Sequence, residues 1–95
     1  MARPEQLFVF SYDVSRDGPR ARLHAMLSEY LTPVQRSVFE GRLTTTLAAR
    51  LGRKGAAMLG PDDSLRVYCV TEAGRRMSVS YGPTPLAEAQ DFYLL

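Results

Sequence analysis

The sequence is poor in the residues that build disulfides, zinc sites and catalytic triads. Its 95 residues include one cysteine, one histidine and no asparagine. Cys69 has no second cysteine with which to form an internal disulfide, and this favours a reducing cytoplasm as the compartment. It also lacks a surrounding group of Cys and His residues, which argues against a structural zinc site. We therefore expect Cys69 to be a small, buried, apolar residue.

Long apolar runs are also missing. No stretch approaches the ~20 apolar residues of a membrane helix, and the opening residues MARPEQ have no signal-peptide core. The sequence thus predicts no membrane partner. Hydrophobic residues make up 45% of the chain and charged residues 23%, a composition typical of a globular protein. A chain of this length is expected to form a single domain over residues 1–95.

The common catalytic and nucleotide-binding motifs are absent as well. No serine or cysteine is paired with His24, so the sequence gives no support to a catalytic triad. Neither a G-x-G-x-x-G nor a P-loop spacing occurs, which leaves a nucleotide cofactor without support. The adjacent acids Asp62 and Asp63 are more typical of a turn than of a metal site.

Positive charge is carried almost entirely by arginine, with eleven arginines beside one lysine. Residues 1–60 contain nine basic and five acidic groups, whereas residues 61–95 contain three basic and five acidic groups. Arginine favours phosphate because its planar guanidinium makes paired hydrogen bonds and stays charged. From composition alone, a solvated basic face explains this pattern slightly better than nucleic-acid binding, and both remain open.

The apolar stretch at residues 7–12, interrupted only by Ser11, predicts a buried strand. Leu7 and Val9 point to one face and Phe8 and Phe10 to the other, and two apolar faces indicate a central position in a sheet.

The segment after this strand predicts an amphipathic helix. Apolar residues recur at the i, i+3, i+4, i+7 and i+8 positions of one face, namely Leu23, Met26, Leu27, Tyr30 and Leu31. Asp17 or Gly18 would cap this helix, Pro19 is tolerated in its first turn, and it should end before Pro33. Its other side carries polar residues, namely Arg20, Arg22, His24 and Glu29.

The rest of the chain predicts further strands and one more helix. Residues 34–43 favour a second extended segment, and the threonines at 44–46 would cap a helix that runs to residue 59. Strands are expected at 65–70 and 77–81, and residues 91–95 (DFYLL) have strand character.

This order of elements predicts an α+β fold, a ferredoxin-like βαββαβ sandwich with an extra C-terminal strand. The fold requires two strands between the helices, but residues 34–43 show no evident turn. Either a single strand bends near Ser37 or this segment has a different structure. We expect the tail at 86–95 to pair with a partner subunit.

Asp13 stands out because it lies at the carboxyl end of a central strand. One carboxylate binds Mg²⁺ weakly, since the ion requires several oxygen ligands. If the protein dimerises about a two-fold axis near this strand end, two copies of Asp13 could share one ion. Alternatively, Asp13 starts the turn or caps the helix together with Asp17, and the pattern leaves both readings open.

Two motifs carry a family resemblance. FSYDVSRDGPRAR at residues 10–22, followed by VQRSVFEG at 34–41, resembles the small CRISPR-associated protein of the spacer-acquisition module, the homodimeric partner of the CRISPR integrase. Tyr12 and Asp13 match the Tyr-Asp pair that ends the family's first strand, and Arg20 and Arg22 match its Arg-x-Arg. The terminal DFYLL resembles the family's last strand, so the resemblance spans essentially the whole chain.

The resemblance implies a homodimer with Mg²⁺-dependent endonuclease activity on RNA or duplex DNA. In the family the Tyr-Asp aspartate holds the metal, and that metal-binding and catalytic role carries onto Asp13. Arg20 and Arg22 would contact phosphates of duplex DNA or single-stranded RNA. The family commonly has Gly-x-Arg where this chain has residues 31–33, Leu-Thr-Pro, so nearby Arg36 becomes the third candidate for nucleic-acid contact.

Two other functions are considered. Some members of the family act only as a bridge that holds integrase dimers on a new spacer, and this needs no hydrolysis. A small-ligand regulatory or acylphosphatase-type domain would also suit a ferredoxin-like fold. Acylphosphatase chemistry, however, requires a catalytic asparagine, and the chain has none.

Overall fold

Apolar side chains on both faces place the first strand at the centre of the molecule. The computed structural model of the protein describes residues 4–83. Its elements are β1 (Glu5–Asp13), α1 (Asp17–Ser28), β2 (Thr32–Gln35), β3 (Val38–Thr44), α2 (Thr45–Ala56), β4 (Ser64–Val70) and α3 (Glu72–Met77). The strands form an antiparallel sheet in the order β2-β3-β1-β4. The predicted α+β class is confirmed, and the arrangement is that of a ferredoxin-like fold.

The core lies between one face of the sheet and the helices α1 and α2. Phe10 of β1 is paired in register with Phe39 of β3, and both rings are fully buried. Leu23 and Leu27 of α1 and Leu51 of α2 pack into the same apolar cluster. Burying each of these side chains stabilises the fold by roughly 1.5–3 kcal/mol. The core therefore fixes both helices against the central strands.

The segment at 34–43 does not form the single extended strand that its pattern favours, and it supplies instead most of the strand pair that the predicted fold requires. β2 and β3 form a hairpin whose two-residue turn is Arg36–Ser37, with Gln35 opposite Val38. Arg36 is not a residue that usually marks a turn, and Ser37 is a weaker turn former than Gly, Asn, Asp or Pro. The turn is instead held from β1, because the Tyr12 amide donates to the Ser37 carbonyl at 3.0 Å. A long-range contact thus supplies what the local sequence does not signal.

Both predicted helices exist, but their ends differ from the predictions. Arg16 occupies the N-cap position of α1 without a side-chain hydrogen bond, so Asp17 and Gly18 are not caps. Pro19 lies in the first turn, as expected. At α2 the prediction of a threonine cap is confirmed, because the Thr44 hydroxyl accepts from the Leu47 amide at 3.2 Å.

The helices also end earlier than predicted. α1 stops at Ser28, before Tyr30 and Leu31, and α2 stops at Ala56, before Met58 and Leu59. In both cases the apolar pattern continues past the end of the helix because later residues still contact the core. Leu31 is buried in the core, and Met58 and Leu59 pack against it.

The strand predicted at 77–81 is absent, since Met77 ends α3 and residues 78–81 form no strand. The Thr71 hydroxyl accepts from the Gly74 amide at 3.0 Å and so starts a helix here. Glu72 of α3 also forms an ion pair with Arg42 of β3 at 2.8 Å. The alternating apolar residues of the segment do not face a core: Met77, Val79 and Tyr81 are exposed.

Cys69 is exposed, contrary to the prediction of burial. It lies on β4, an edge strand of the described sheet, where its thiol donates to the Gln6 side-chain carbonyl at 3.1 Å. The predicted C-terminal strand at 91–95 and the tail at 86–95 lie outside the described residues. No helix within 4–83 has the length and apolar character required to cross a bilayer.

Candidate functional site

A polar cleft of about 720 Å³ opens beside the carboxyl end of β1. Three elements form it, namely β1, the first two turns of α1, and the turn between β2 and β3. Its lining residues are Tyr12, Asp17, Arg20, Ala21, His24, Arg36 and Ser37. The hairpin turn that the sequence does not signal is therefore one wall of the cleft.

Tyr12 connects the walls of the cleft. Its side chain is buried, and its ring stacks against Phe39 with centroids 6.3 Å apart. The hydroxyl donates to the Arg36 carbonyl at 3.1 Å and lies 3.4 Å from Nδ1 of His24. Burial raises the pKa of Tyr12, and the Arg20 charge opposes this in part. The hydroxyl therefore keeps its proton at neutral pH.

The side chain of Arg20, in the first turn of α1, holds the loop that precedes the helix. Its guanidinium donates to the carbonyls of Val14 and Ser15, at 3.0 and 3.3 Å, and forms an ion pair with Asp17. These contacts fix the connection between β1 and α1. The ion pair with Asp17 also offsets part of the Arg20 charge, so the cation that the sequence singles out for phosphate is already engaged.

Arg36 is the more available cation in the cleft. It lies in the exposed β2–β3 turn, and its side chain forms no ion pair with any residue in the range 4–83. Arg22 is also exposed, but it does not line the cleft. Two helical positions separate it from Arg20, which turns it to another side of α1. The structure therefore brings together Arg20 and Arg36 and leaves Arg22 apart.

Asp13 ends β1, paired in register with Ser64 of β4, and its side chain is exposed. Successive residues of a strand face opposite sides, so Asp13 lies on the sheet face opposite Tyr12 and the cleft. Its carboxylate has no hydrogen-bond or ion-pair partner among the described residues, and α1 has no side-chain cap. The helix-cap reading of Asp13 is therefore wrong.

The described part of one chain shows no ready-made cluster of metal ligands. Residues 4–83 contain no group of three or more His, Cys, Asp or Glu side chains that could hold an ion. Asp13 offers one free carboxylate of the kind that Mg²⁺ prefers. This chemistry fits one half of a site shared by two chains.

Two residues have contacts at or beside the cleft that the sequence analysis did not predict. Asp63 belongs to a turn, as predicted, but its carboxylate also accepts from the Gly60 amide at 2.8 Å and from the Ser15 amide at 3.1 Å. These hydrogen bonds lower the pKa of Asp63. The second residue is His24, whose ring packs edge-on against Phe39 at 5.1 Å. Its only sequence signal is that it lies one helical turn after Arg20.

Comparison with known proteins gives consistent matches. The family model described as CRISPR associated protein Cas2 matches residues 6–77. The CRISPR-associated endonuclease Cas2 2 of Thermus thermophilus is 36% identical over 88 residues, which cover 90% of this chain and 96% of that protein.

Solved structures agree in fold. A hypothetical protein from Thermus thermophilus superposes with a TM-score of 0.69 at 32% identity, covering 86% of this chain and 99% of that one. A chain of a partial Cas6-RT-Cas1–Cas2 complex superposes with a TM-score of 0.73 at 24% identity, covering 90% of this chain and 94% of that one. At this identity, the second match shows similarity of fold alone. The protein whose sequence and structure are described above belongs to the Cas2 family of CRISPR-associated proteins.

Proposed function

We propose that this protein acts in CRISPR spacer acquisition as a homodimer that holds nucleic-acid backbone beside the integrase. Mg²⁺-dependent phosphodiester hydrolysis is a secondary activity in this proposal. The observation that carries it is the cleft at the end of β1, where Arg36 is exposed and unpaired within residues 4–83. Family membership supports the pathway, and a fold relative is a chain of an assembly named for Cas1 and Cas2.

Backbone binding is the part of the function that the cleft serves. Arginine makes charge-assisted hydrogen bonds with phosphate oxygens. Arg36 can turn toward a phosphate without breaking an ion pair, whereas Arg20 holds the loop that shapes the cleft. Contacts of this kind position a nucleic acid without reading its sequence. The proposed substrate class is therefore duplex DNA or single-stranded RNA with no required base sequence.

Hydrolysis would take place on the other face of the sheet. Asp13 from each of two chains would hold one Mg²⁺, and the bound ion would supply charge neutralisation at the phosphate and a more acidic water. The naming of a 36% identical relative as an endonuclease supports this activity. The dimer is essential to the proposal, because one chain contributes one carboxylate.

A purely structural bridge is the second candidate. The observation that favours it is that residues 4–83 hold no group of three or more His, Cys, Asp or Glu side chains that could bind an ion. A bridge needs only the positive cleft and a surface for the integrase. We favour bridging as the pathway role and treat cleavage as accessory.

Two assays on the same variants separate these roles. Wild type and Asp13→Asn are compared for cleavage of duplex DNA and single-stranded RNA, with Mg²⁺ and with EDTA, and for spacer integration with the integrase. Asp62→Asn is the matched control, since it removes one exposed carboxylate from a nearby turn. We expect Asp13→Asn to lose cleavage, stay dimeric and keep integration. Loss of integration would favour the catalytic role, and full cleavage by this variant would exclude Asp13 as the metal ligand.

A further inference from the structure

His24 lies inside the cleft although the sequence treats it as an ordinary surface residue. It lines the cavity together with Arg20 and Arg36, and its ring is held by the edge contact with Phe39. Its Nδ1 lies 3.4 Å from the Tyr12 hydroxyl. The histidine is thus oriented by two residues of the sheet.

The hydrogen bonds around Tyr12 determine which ring nitrogen of His24 carries a proton. The Tyr12 hydroxyl has one proton, and the shorter contact, 3.1 Å to the Arg36 carbonyl, uses it. The tyrosine oxygen can then only accept from His24, so Nδ1–H of His24 is the donor. Because burial raises the pKa of Tyr12, its hydroxyl keeps the proton that it donates to the Arg36 carbonyl. Nε2 of His24 is left free to accept a hydrogen bond in the neutral ring or to donate one in the protonated ring.

Protonation of His24 would change the charge of the cleft substantially. The other charged side chains that line the cleft are Arg20 and Asp17 on α1 and Arg36 on the hairpin turn, and the titratable group from β1 is Tyr12. Arg20 is already paired with Asp17, so the cleft carries one net positive charge when His24 is neutral. A protonated His24 raises this to two.

We propose that His24 is a phosphate-binding residue of the cleft and that its protonated ring donates from Nε2 to a backbone phosphate of the bound nucleic acid. This inference rests on the proposed nucleic-acid binding and deepens it, because it places the bound phosphate beside α1, the helix that carries His24. A neutral Nε2 is an acceptor and cannot bind a phosphate oxygen that has no proton. Affinity therefore increases as the pH falls and the ring gains its proton.

The test is a set of binding titrations on the full-length protein. Fluorescence anisotropy of a labelled DNA duplex is measured at fixed ionic strength between about pH 5.5 and 7.5, above the range in which ordinary carboxylates titrate. Wild type is expected to bind at least about tenfold more tightly at the acidic end, because each chain of the dimer gains one charge-assisted hydrogen bond. His24→Gln should bind weakly at every pH, and His24→Arg should bind tightly at every pH. Because His24 is exposed, both variants are expected to fold, which circular dichroism checks.

The outcomes separate this inference from the function on which it rests. If wild type binds no nucleic acid at any pH, both the proposed function and this inference are overturned. If it binds and His24→Gln keeps the same pH dependence, only the role of His24 is overturned.

Nuclear magnetic resonance gives a second readout. The chain has one histidine, so every histidine ring signal belongs to His24. Saturating duplex DNA should move the titration midpoint of that signal to higher pH, because a phosphate that binds the protonated ring favours it. A midpoint that does not move would contradict direct contact and leave His24 with only a supporting role toward Tyr12.

Discussion

The hydroxyl of Tyr12 donates to the main-chain carbonyl of Arg36 at 3.1 Å across 24 positions of sequence. This bond joins the central strand to the turn of the β2–β3 hairpin. It acts together with the bond from the Tyr12 amide to the Ser37 carbonyl. One residue therefore fixes both carbonyls of the turn and with them the backbone position from which the Arg36 side chain extends.

Tyr12→Phe tests this relationship. The variant keeps the buried ring but leaves the Arg36 carbonyl without its partner, so we expect a loss of about 1 kcal/mol in the free energy of unfolding. Nucleic-acid affinity should fall as well, because Arg36 is less well positioned. Urea denaturation and duplex binding measure the two effects. Tyr68→Phe is the control, because it removes an exposed hydroxyl that accepts from Arg66. It should change the free energy of unfolding and the nucleic-acid affinity only slightly.

Asp63 makes the stability of the loop beside the cleft dependent on pH. Hydrogen bonds from the Gly60 and Ser15 amides lower its pKa below the ordinary value of 3.8. A carboxyl with a lowered folded-state pKa stabilises the fold above its unfolded pKa, and this contribution is lost as the pH falls through and below that value. Wild type should therefore lose stability between about pH 5 and 3.

The comparison variant is Asp63→Asn. It should be less stable than wild type at pH 7 and should lose less stability on acidification, because the titrating group is gone. Urea denaturation at pH 7 and pH 4 measures both quantities. Asp62→Asn serves as the control, since Asp62 is the exposed neighbour in the same turn. An Asp63→Asn variant with the acid sensitivity of wild type would show that other carboxyls are responsible.

Local patterns were sufficient for much of the fold. The two apolar faces of residues 7–12 correctly place β1 in the sheet centre, and the threonines before residue 47 correctly place the cap of α2. The failures have a common cause, which is that contacts distant in sequence decide the structure. The Arg36–Ser37 turn is held by Tyr12, and the ion pair of Glu72 with Arg42 ties the start of α3 to β3 just before the residues where alternation predicts a strand.

The sequence predicted the residue types of the candidate site, but it did not predict which of those residues lie together. Arg20 and Arg36 share a cleft only because the hairpin turn folds against β1. Arg22 has the same chemistry as Arg20, but it lies outside this cleft. The contact of Asp63 with Ser15 spans 48 positions and leaves no mark on the local sequence. Sequence patterns identify cations, whereas the fold decides which of them share a cavity.

The C-terminal segment DFYLL, residues 91–95, lies outside the described residues and remains a prediction. Four consecutive apolar residues at a chain end are an aggregation hazard unless they are covered. We expect them to add as a strand to the sheet of the second subunit or of the integrase. Deletion of 91–95 should weaken dimerisation or integrase binding, as measured by light scattering and a binding assay. Leu94→Asp is a full-length companion variant, and an unchanged mass with unchanged integrase binding in both would contradict the prediction.

The contrast between Arg36 and Arg22 tests the cleft most directly. Each phosphate contact contributes roughly 0.9 to the slope of log affinity against log salt for duplex DNA, so a dimer that loses one contact per chain should lose about 2. We expect Arg36→Ala to flatten the slope by this amount and to weaken binding equally for unrelated duplexes, because phosphates carry no base information. Arg22→Ala removes the same charge from an exposed position outside the cleft and should have a smaller effect. Equal losses for the two variants would mean that the nucleic acid follows the exposed side of α1, as the family's Arg-x-Arg motif implies. A reduced slope for Arg36→Ala alone would place the backbone against the β2–β3 turn, where Tyr12 holds that arginine in position.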